Sequence, residues 1–434
     1  WAFGGDATAS GHGLVMANPH FPWSGEARFW ECHLTIPGEL DVYGVSLLGT
    51  PGVQMGFNEH IGWCHTFSGA SRFTLCRLGL VAGEPPRYRH GPDTLEMEAA
   101  THRVQASVDG QVTEVERTLW SSHIGPMVNL PLVGWGLDVG YTYRDANIDN
   151  TAVLEQFLAM NLATGMDDFQ ASFARIQGMP WVNTLVADRT GRAWYIDASA
   201  TPNLSPAAQA RFRVRVEDDL IAALLYENRV PLLDGSEPDD DWLDDPTANR
   251  PGVVGHPHLP QVERRDFVAN ANDSHWLTNP AEPLEGYSVF HGFERTARTL
   301  RTRQNLRVVQ RLADSGAATV EQVLATVLDN ASLSAELLRD DVVARCRAVG
   351  SFPVDDEVID LHAAADVLAA WDGRFDLDSV GAVLWREFMA GFPAADIRSG
   401  GSLFAHPYDP ADPVATPRGL APEVEGFDPA VLAL

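Results

Sequence analysis

The sequence contains no lysine, so all 31 of its basic residues are arginines, and 59 aspartates and glutamates outnumber them. The resulting net charge of −28 at pH 7 would repel a phosphate backbone, which argues against nucleic acid as a partner. Long hydrophobic runs are also missing: no stretch could cross a bilayer, and the first residues lack the pattern of a secretory leader. We therefore expect neither a nucleic-acid partner nor a membrane partner.

Cysteine is scarce, and its spacing does not suit a metal site. None of the four cysteines belongs to a C-x-x-C pair, so a structural zinc site is not expected. Two of them, Cys64 and Cys76, could face each other on neighbouring strands. The remaining two are Cys32 and Cys346.

Several common catalytic and cofactor motifs are absent as well. There is no G-x-S-x-G nucleophile elbow, no P-loop and no dinucleotide-binding glycine motif after a strand. An α/β-hydrolase therefore has no support from the sequence, and the usual nucleotide-binding motifs are missing. His256 and His258 lie in a Pro-Gly segment that offers no third ligand or carboxylate nearby, so we expect no metal there. The sequence predicts no cofactor.

Residue patterns in the first half of the chain predict strands followed by helices. Residues 1 to about 145 are rich in short β-type runs, and Asp109-Gly110 is a typical two-residue hairpin turn. Residues 150–177 change to a helical period. The apolar stripe predicted for the first helix consists of Leu154, Phe157, Leu158 and Leu162.

Later segments are predicted to be a surface loop and then a helical region. Residues 234–250 are acidic and rich in proline, which is typical of a solvated loop. From Thr296 to about Phe392 the period is helical, and Thr319 with Gln322 forms a candidate capping box. Strands and helices mixed within one span indicate layered α+β packing.

Four segments are dense in polar and aromatic residues beside apolar strands. Asparagine side chains are costly to bury unless their amides form hydrogen bonds, so such segments are candidates for a functional site. The alternative is that they only cap turns. The segments are ANPHFPW at 17–23, WCHTF at 63–67, QGMPWVNT at 177–184 and DFVANANDS at 266–274.

Together these segments resemble the penicillin acylase family, most closely its branch of acyl-homoserine lactone acylases and aculeacin-type lipopeptide acylases. The likeness is carried, in family order, by ANPHFPW at 17–23, HLTIPG at 33–38, RFTLCRL at 72–78, QGMPWVNTL at 177–185 and DFVANANDSHWLTNP at 266–280.

The resemblance implies a four-layer αββα sandwich of the N-terminal nucleophile hydrolases with an added helical region. It implies this core for residues 1–295, a helical region at 296–395, and an extended tail at 396–434 that leads to C-terminal strands beyond the sequence. It also implies a precursor that cleaves itself into an α-chain and a β-chain. This chain would be most of the β-chain, with the α-chain as its partner in the periplasm or outside the cell.

The implied chemistry is hydrolysis of an amide that carries an acyl group. The family's β-chain begins with a serine whose hydroxyl attacks the carbonyl, while its own α-amino group, with a pKa of about 7.7–8.0, acts as the base. By the register of His20, that serine is expected three residues before Trp1. Ser10 and Ser24 cannot replace it, because an internal serine has no free amine.

Four catalytic positions follow from the resemblance. His20 matches a residue that packs against the nucleophile and orients it. Phe67 matches the residue whose backbone N–H is one oxyanion donor, and Asn272 matches the side-chain amide donor. Arg295 matches an arginine that supports this asparagine, although it could also be a surface arginine before a helix.

An apolar pocket for the acyl group is also expected. Its aromatic lining would favour a fatty or aryl-acyl tail, because each buried CH₂ contributes about 0.8 kcal/mol. The alternative for each of these side chains is ordinary core packing. The candidates are Phe21, Trp23, Phe67, Phe157 and Trp181.

The expected substrate is an acyl-homoserine lactone or an acylated peptide antibiotic. One alternative is a penicillin or cephalosporin acylase. An alternative of another class is an inactive fragment that binds acyl ligands or a partner chain, because the nucleophile does not lie within the sequence. Residues 68–72 lack the carboxylates with which penicillin G acylases hold calcium, so no calcium is expected there.

Overall fold

Strands dominate the first half of the chain and helices the second in the computed structural model, which describes residues 1–131, 133–354, 357–399 and 403–422. The strands are β1 (Ala2–Phe3), β2 (Leu14–Val15), β3 (Phe29–Ile36), β4 (Leu40–Leu47), β5 (Met55–Asn58), β6 (Ile61–Phe67), β7 (Phe73–Val81), β8 (Arg87–His90), β9 (Asp93–Glu96), β10 (Glu98–Val108), β11 (Gln111–Ser121), β12 (Met127–Val128), β13 (Val139–Asp145), β14 (Val182–Asp188), β15 (Ala193–Asp197), β16 (Leu232–Asp234), β17 (Gln261–Arg264), β18 (Phe267–Val268), β19 (Ser351–Val354), β20 (Glu357–Asp360), β21 (Phe404–His406) and β22 (Arg418–Leu420). The helices are α1 (Val153–Leu162), α2 (Met166–Ile176), α3 (Pro206–Asp218), α4 (Leu220–Glu227), α5 (Leu300–Asp314), α6 (Val320–Val327), α7 (Leu333–Val349), α8 (Leu361–Ala370), α9 (Ala382–Ala390) and α10 (Ala394–Ser399).

The central element is a seven-stranded antiparallel sheet in the order β17-β15-β14-β6-β5-β4-β3. Because side chains alternate along a strand, its two faces carry different residues. Trp63 and Val186 face helices α1 and α2, where they pack with Phe157. Cys64 and Leu185 face the other way, toward a second sheet.

That second sheet has three strands in the order β18-β1-β2, with β1 in the middle. Ala2 packs on the seven-stranded sheet, whereas Phe3 faces α5 and packs with Leu306 and Val309. Contacts therefore follow the order helix, sheet, sheet, helix, and the fold is α+β. The complete four-layer sandwich stays a prediction.

Two further sheets extend this framework. One runs β12-β13-β7-β8-β9, and β16 joins it parallel to β7. The other is the long ribbon β10–β11, whose turn residues Asp109 and Gly110 have φ of 51° and 79°. Positive φ at both turn residues is the conformation that a two-residue hairpin requires, so the hairpin predicted from Asp109-Gly110 is confirmed.

The predicted helices between residues 150 and 177 are confirmed, but the predicted stripe on α1 is wrong. Leu154, Leu158 and Leu162 are 45–53% exposed, while the buried face includes Met160 and Asn161. The helix is turned this way because the Asn161 amide bonds both backbone groups of Val53: its Oδ1 accepts at 2.9 Å and its Nδ2 donates at 2.6 Å.

The acidic segment 234–250 is only partly solvated: residues 237–239 are exposed as predicted, but two of its aspartates are buried. The Asp240 side chain is 2% exposed and accepts hydrogen bonds from Arg211 at 2.5 and 3.0 Å. Asp245 is buried as well and accepts from the backbone of Gly255 at 2.9 Å. It also contacts His258 at 2.8 Å, so a carboxylate does lie beside that histidine. Composition alone could not reveal these partners.

Helices prevail in the later region, as expected, and the capping box of Thr319 and Gln322 is confirmed. A hairpin, β19–β20, interrupts them, and β21–β22 occupies part of the predicted tail. Helix α5 packs with Trp1 and Phe3, so one cluster spans the boundary predicted at 295, and the division into three regions stays a prediction. Residues 423–434 of the predicted tail lie outside the described residues.

The four cysteines are all free thiols. Cys64 lies in the seven-stranded sheet and Cys76 in the sheet of β7, so the two do not face each other across neighbouring strands. Among the described residues, no helix is both long and apolar enough to cross a membrane.

Candidate active site

A cavity of about 910 Å³ opens where β6, α1, α5 and the loop after β2 meet. It draws together most of the residues that the sequence singled out. Those that line it are His20, Phe21, Phe67, Phe157, Trp181 and Asn272.

The backbone N–H of Phe67 points away from the neighbouring strand β14. Ser68 donates its N–H to the Trp181 carbonyl at 3.1 Å, and neighbouring residues of a strand direct their backbone groups to opposite sides. On that opposite side β5 pairs with β6 only at Gly62 and Trp63, well short of Phe67. The Phe67 N–H is therefore placed to donate to a ligand in the cavity.

Asn272 lies on the same side and is held at both ends. Its backbone has a φ of 64°, a left-handed conformation that asparagine tolerates, and its N–H donates to Asn270 Oδ1 at 2.8 Å. Its side-chain Nδ2 donates to the Phe67 carbonyl at 3.3 Å, and its Oδ1 accepts from Arg301 Nη2 at 3.0 Å. Since an arginine can only donate, the amide orientation is fixed, and the second Nδ2 hydrogen remains for a ligand.

A buried polar network supports both donors. Asn183 is fully buried, and its Oδ1 accepts from the Tyr195 hydroxyl at 2.7 Å. Its Nδ2 donates to Thr66 Oγ1 at 2.9 Å and to Asn270 Oδ1 at 3.2 Å. Burial raises the pKa of Tyr195 well above its usual value, so its hydroxyl stays neutral. The network thus fixes Asn270, which in turn holds the backbone of Asn272.

The loop after β2 brings His20 to the cavity. Trp1 and Met16, which both line the cavity, exchange two backbone hydrogen bonds of 2.9 Å. From there residues 17–19 continue along the lining, and His20 follows. The Phe21 ring packs against Phe29 with 4.8 Å between ring centroids.

The wall near α1 is formed by an aromatic ring and an uncharged histidine. Burial lowers the pKa of His65 to about 4, because its surroundings disfavour the cation. Its Nδ1 lies 3.1 Å from Thr184 Oγ1, and its ring meets Phe157 edge-on at 5.9 Å. This wall therefore suits an apolar ligand group.

Two of the predicted residues are placed elsewhere. Trp23 is 99% exposed and does not line the cavity, because only Phe21 of this aromatic pair turns inward. Arg295 pairs with Glu285 through bonds of 3.0 and 2.7 Å. The contact expected from Arg295 to Asn272 is made by Arg301 instead.

Sequence reasoning missed Arg301, yet a signal was present. Arg301, Gln304, Asn305 and Val308 all line the cavity, and their spacing places them on one face of α5. Asn183, in contrast, stood within a quoted motif without an assigned role. Arg229 was also missed: it lines the cavity, and its Nη1 donates to the Ser68 carbonyl at 2.6 Å.

A backbone N–H and a side-chain amide beside a cavity with aromatic rings in its lining form an arrangement that can stabilise the oxyanion of an acyl transfer. The α+β fold with β1 at the centre of a small sheet agrees with the class of N-terminal nucleophile hydrolases. The sequence model of the penicillin amidase family matches residues 1–418, so the chain belongs to this family.

Individual relatives agree with this assignment. The chain is 38% identical over 425 residues to acyl-homoserine lactone acylase PvdQ of Pseudomonas fluorescens, covering 97% of this chain and 52% of the relative. It is 38% identical over 439 residues to aculeacin-A acylase of Actinoplanes utahensis, covering 99% and 53%. The chain thus spans about half the length of the curated relatives it matches.

A solved structure shows the same fold. Thermostable penicillin G acylase from Alcaligenes faecalis matches with a TM-score of 0.63 and 18% identity, covering 94% of this chain and 68% of that one. At this identity the likeness concerns the fold alone.

Proposed function

We propose that the complete protein is an acylase that hydrolyses the amide of an N-acyl substrate with a fatty or aryl tail. Acyl-homoserine lactones and acylated peptide antibiotics are the substrates we favour. The observation that carries the proposal is the cavity of about 910 Å³ with the Phe67 N–H and the Asn272 amide directed to one edge of it. The names of the relatives support the same class of substrate.

The nucleophile of this proposal is a serine three residues before Trp1. β1 pairs Ala2 with Val268 on one side and with Val15 on the other. If both registers continue upstream, the third residue before Trp1 lies opposite Asn272 on one side and opposite Pro19 on the other. On these registers the preceding chain runs toward the part of the cavity that Asn272 and His20 line, which supports the proposal.

The reaction proceeds in two steps. The serine Oγ attacks the amide carbonyl, and its α-amino group takes the hydroxyl proton. The Phe67 N–H and Asn272 Nδ2 stabilise the oxyanion, and the amine leaves with the proton. Water then attacks the acyl-enzyme, the same α-amino group accepts its proton, and the carboxylic acid and free serine result.

The acyl tail occupies the cavity between Phe157 and Trp181. Each CH₂ that it buries contributes about 0.8 kcal/mol, so the rate should rise with tail length until the cavity is filled. His65 remains uncharged there, which avoids placing a cation against the tail. A penicillin or cephalosporin acylase is the alternative within the class.

The α-chain of the same precursor is the proposed partner. The exposed leucines of α1, Leu154, Leu158 and Leu162, form an apolar edge, and Leu154 lines the cavity. An α-chain that covers this edge would close the cavity over the acyl tail. A periplasmic or secreted location is part of the same proposal.

The first test is the N-terminal sequence and intact mass of the mature protein made from its full-length gene. We expect a serine three residues before Trp1. A mature terminus at Trp1 would refute the catalytic mechanism and favour the alternative of an inactive acyl-binding fragment.

The second test is a series of acyl-homoserine lactones of increasing chain length, with a benzyl penicillin for comparison. We expect kcat/KM to rise with chain length. Cleavage of the penicillin alone would favour the alternative acylase.

A further inference from the structure

A group of three metal-ligating side chains lies away from the cavity. His90 ends β8, His123 lies between β11 and β12, and Asp241 follows the turn at 238–240. His90 Nε2 is 2.9 Å from one carboxylate oxygen of Asp241, and His123 Nε2 is 3.2 Å from the other. The three ligand atoms all lie within 4.8 Å of one another. None of these residues lines the cavity.

These distances are close to those of a coordinated ion. A tetrahedral zinc with bonds of about 2.0–2.1 Å separates its ligand atoms by about 3.3 Å. Small side-chain rotations would therefore let an ion replace the two imidazole–carboxylate contacts. Two imidazoles and one carboxylate are a zinc ligand set that leaves the fourth position open for water.

The His123 ring is held by a further partner. Tyr88 is 1% exposed, and its ring stacks on His123 with 5.7 Å between centroids and a 9° angle between planes. The Tyr88 hydroxyl is 2.9 Å from His123 Nδ1 and accepts from the His123 backbone N–H at 2.9 Å. A hydrogen bond to the second ring nitrogen is the usual support of a metal-bound histidine.

The group differs from the other histidine–carboxylate contacts on the surface. The pair His33 and Asp41 joins one imidazole to one carboxylate, and its side chains are 58% and 73% exposed. In the group of His90, His123 and Asp241, two imidazoles meet the same carboxylate, and the three side chains are only 19–30% exposed. An ion bound there would be partly shielded and yet accessible to water.

We propose that His90, His123 and Asp241 form a divalent-metal site, with Zn²⁺ as the ion that suits it best. The ion fastens the acidic segment to β8 and to the connection between β11 and β12. Asp241 is 118 residues from His123 and 151 from His90 in the sequence, which is why local ligand spacing did not predict the site. The site lies outside the cavity, so the ion takes no part in the proposed hydrolysis.

The test uses the mature protein from the full-length gene, freed of metal with a chelator and titrated with Zn²⁺ by calorimetry. We expect about one ion per chain. His123→Ala and Asp241→Asn should each weaken Zn²⁺ binding by more than about tenfold, and Tyr88→Phe by about tenfold. The matched control His33→Ala, which removes an ordinary histidine–carboxylate pair, should bind as the wild type does.

Two further measurements keep the test decisive. Zn²⁺ should raise the Tm of the wild type and of His33→Ala but not that of His123→Ala. If the ligand variants do not fold, Co²⁺ bound to the wild type should give the strong visible absorption of a tetrahedral site. Absence of one-to-one binding by the wild type, equal affinity in His123→Ala and His33→Ala, or a weak octahedral Co²⁺ spectrum would each overturn the proposal.

Discussion

Removal of the Asn272 amide tests the central element of the proposed site. Asn272→Ala deletes one of the two proposed oxyanion donors, for which we expect a fall in kcat of about 10²–10³-fold, or about 2.7–4 kcal/mol of transition-state stabilisation. The Asn272 Nδ2 donates to the Phe67 carbonyl at 3.3 Å, so the side-chain amide lies beside the residue that carries the proposed backbone donor.

The structure also indicates that the fold survives this change. The Phe67 carbonyl keeps Asn183 Nδ2 at 3.4 Å, and the backbone N–H of residue 272 keeps Asn270 Oδ1. Arg301 loses a partner but is exposed, so the loss costs at most about 1 kcal/mol. The remaining cost is the left-handed φ of 64°, which disfavours alanine by about 1–2 kcal/mol.

A second variant separates catalysis from strain. Asn272→Gly removes the same amide but accepts the left-handed conformation without penalty. Turnover of an N-acyl substrate and urea unfolding should be measured for both variants of the mature enzyme. We expect equal loss of kcat and a more stable glycine variant. Near-normal turnover in either folded variant would show that Asn272 is not the oxyanion donor.

Further predictions concern the network, the acyl pocket and pH. Tyr195→Phe leaves the buried Asn183 Oδ1 without its donor, so urea unfolding should show a loss of about 1–3 kcal/mol. Trp181→Ala should raise KM for long-chain substrates, whereas Trp23→Ala should leave it unchanged in the same kinetic assay; equal effects would contradict the placement of these rings. Because the folded-state pKa of His65 is about 4, below its ordinary value of 6.5, the unfolded chain binds a proton that the folded chain excludes. The stability that this exclusion provides is complete above pH 6.5 and is lost as the pH falls toward 4, by about 1.4 kcal/mol per pH unit for this group. His65→Asn should reduce that slope in urea unfolding across this pH range, and an unchanged slope would contradict the burial argument.

Six of the eight site residues predicted from the sequence line the cavity, because most of them stand in short local motifs. His20, Phe67 and Asn272 each follow or end a strand, and a motif places such a residue without knowledge of the rest of the chain. The fold class followed from the same motifs and from hairpin signals such as Asp109-Gly110, which depend only on adjacent residues.

The features that the sequence did not predict depend on contacts between residues that are far apart in the chain. Asp240 is buried because Arg211 on α3 faces it, and the acidic segment around it gives no sign of this. Arg301 supports Asn272 because α5 directs one face at the cavity, a placement set by packing of that helix on β1 and β18. Trp23 follows Phe21 by two residues, and in a strand both side chains would point to the same side. They lie in a loop, where only Phe21 lines the cavity.

The three-stranded sheet sets the position of both segments that bring His20 and Asn272 to the cavity. β18 continues directly into the segment of Asn270 and Asn272, and β2 continues into the loop of His20, while β1 lies between them and runs in the opposite direction. Gly4, just after β1, approaches the backbone of Arg265 so closely that a Cβ there would be 2.2 Å from its carbonyl oxygen. This close approach holds β1 against the strand that leads to Asn272. Backbone pairing thus places Trp1 at the cavity wall, and in the proposed function the serine takes its position from the same register.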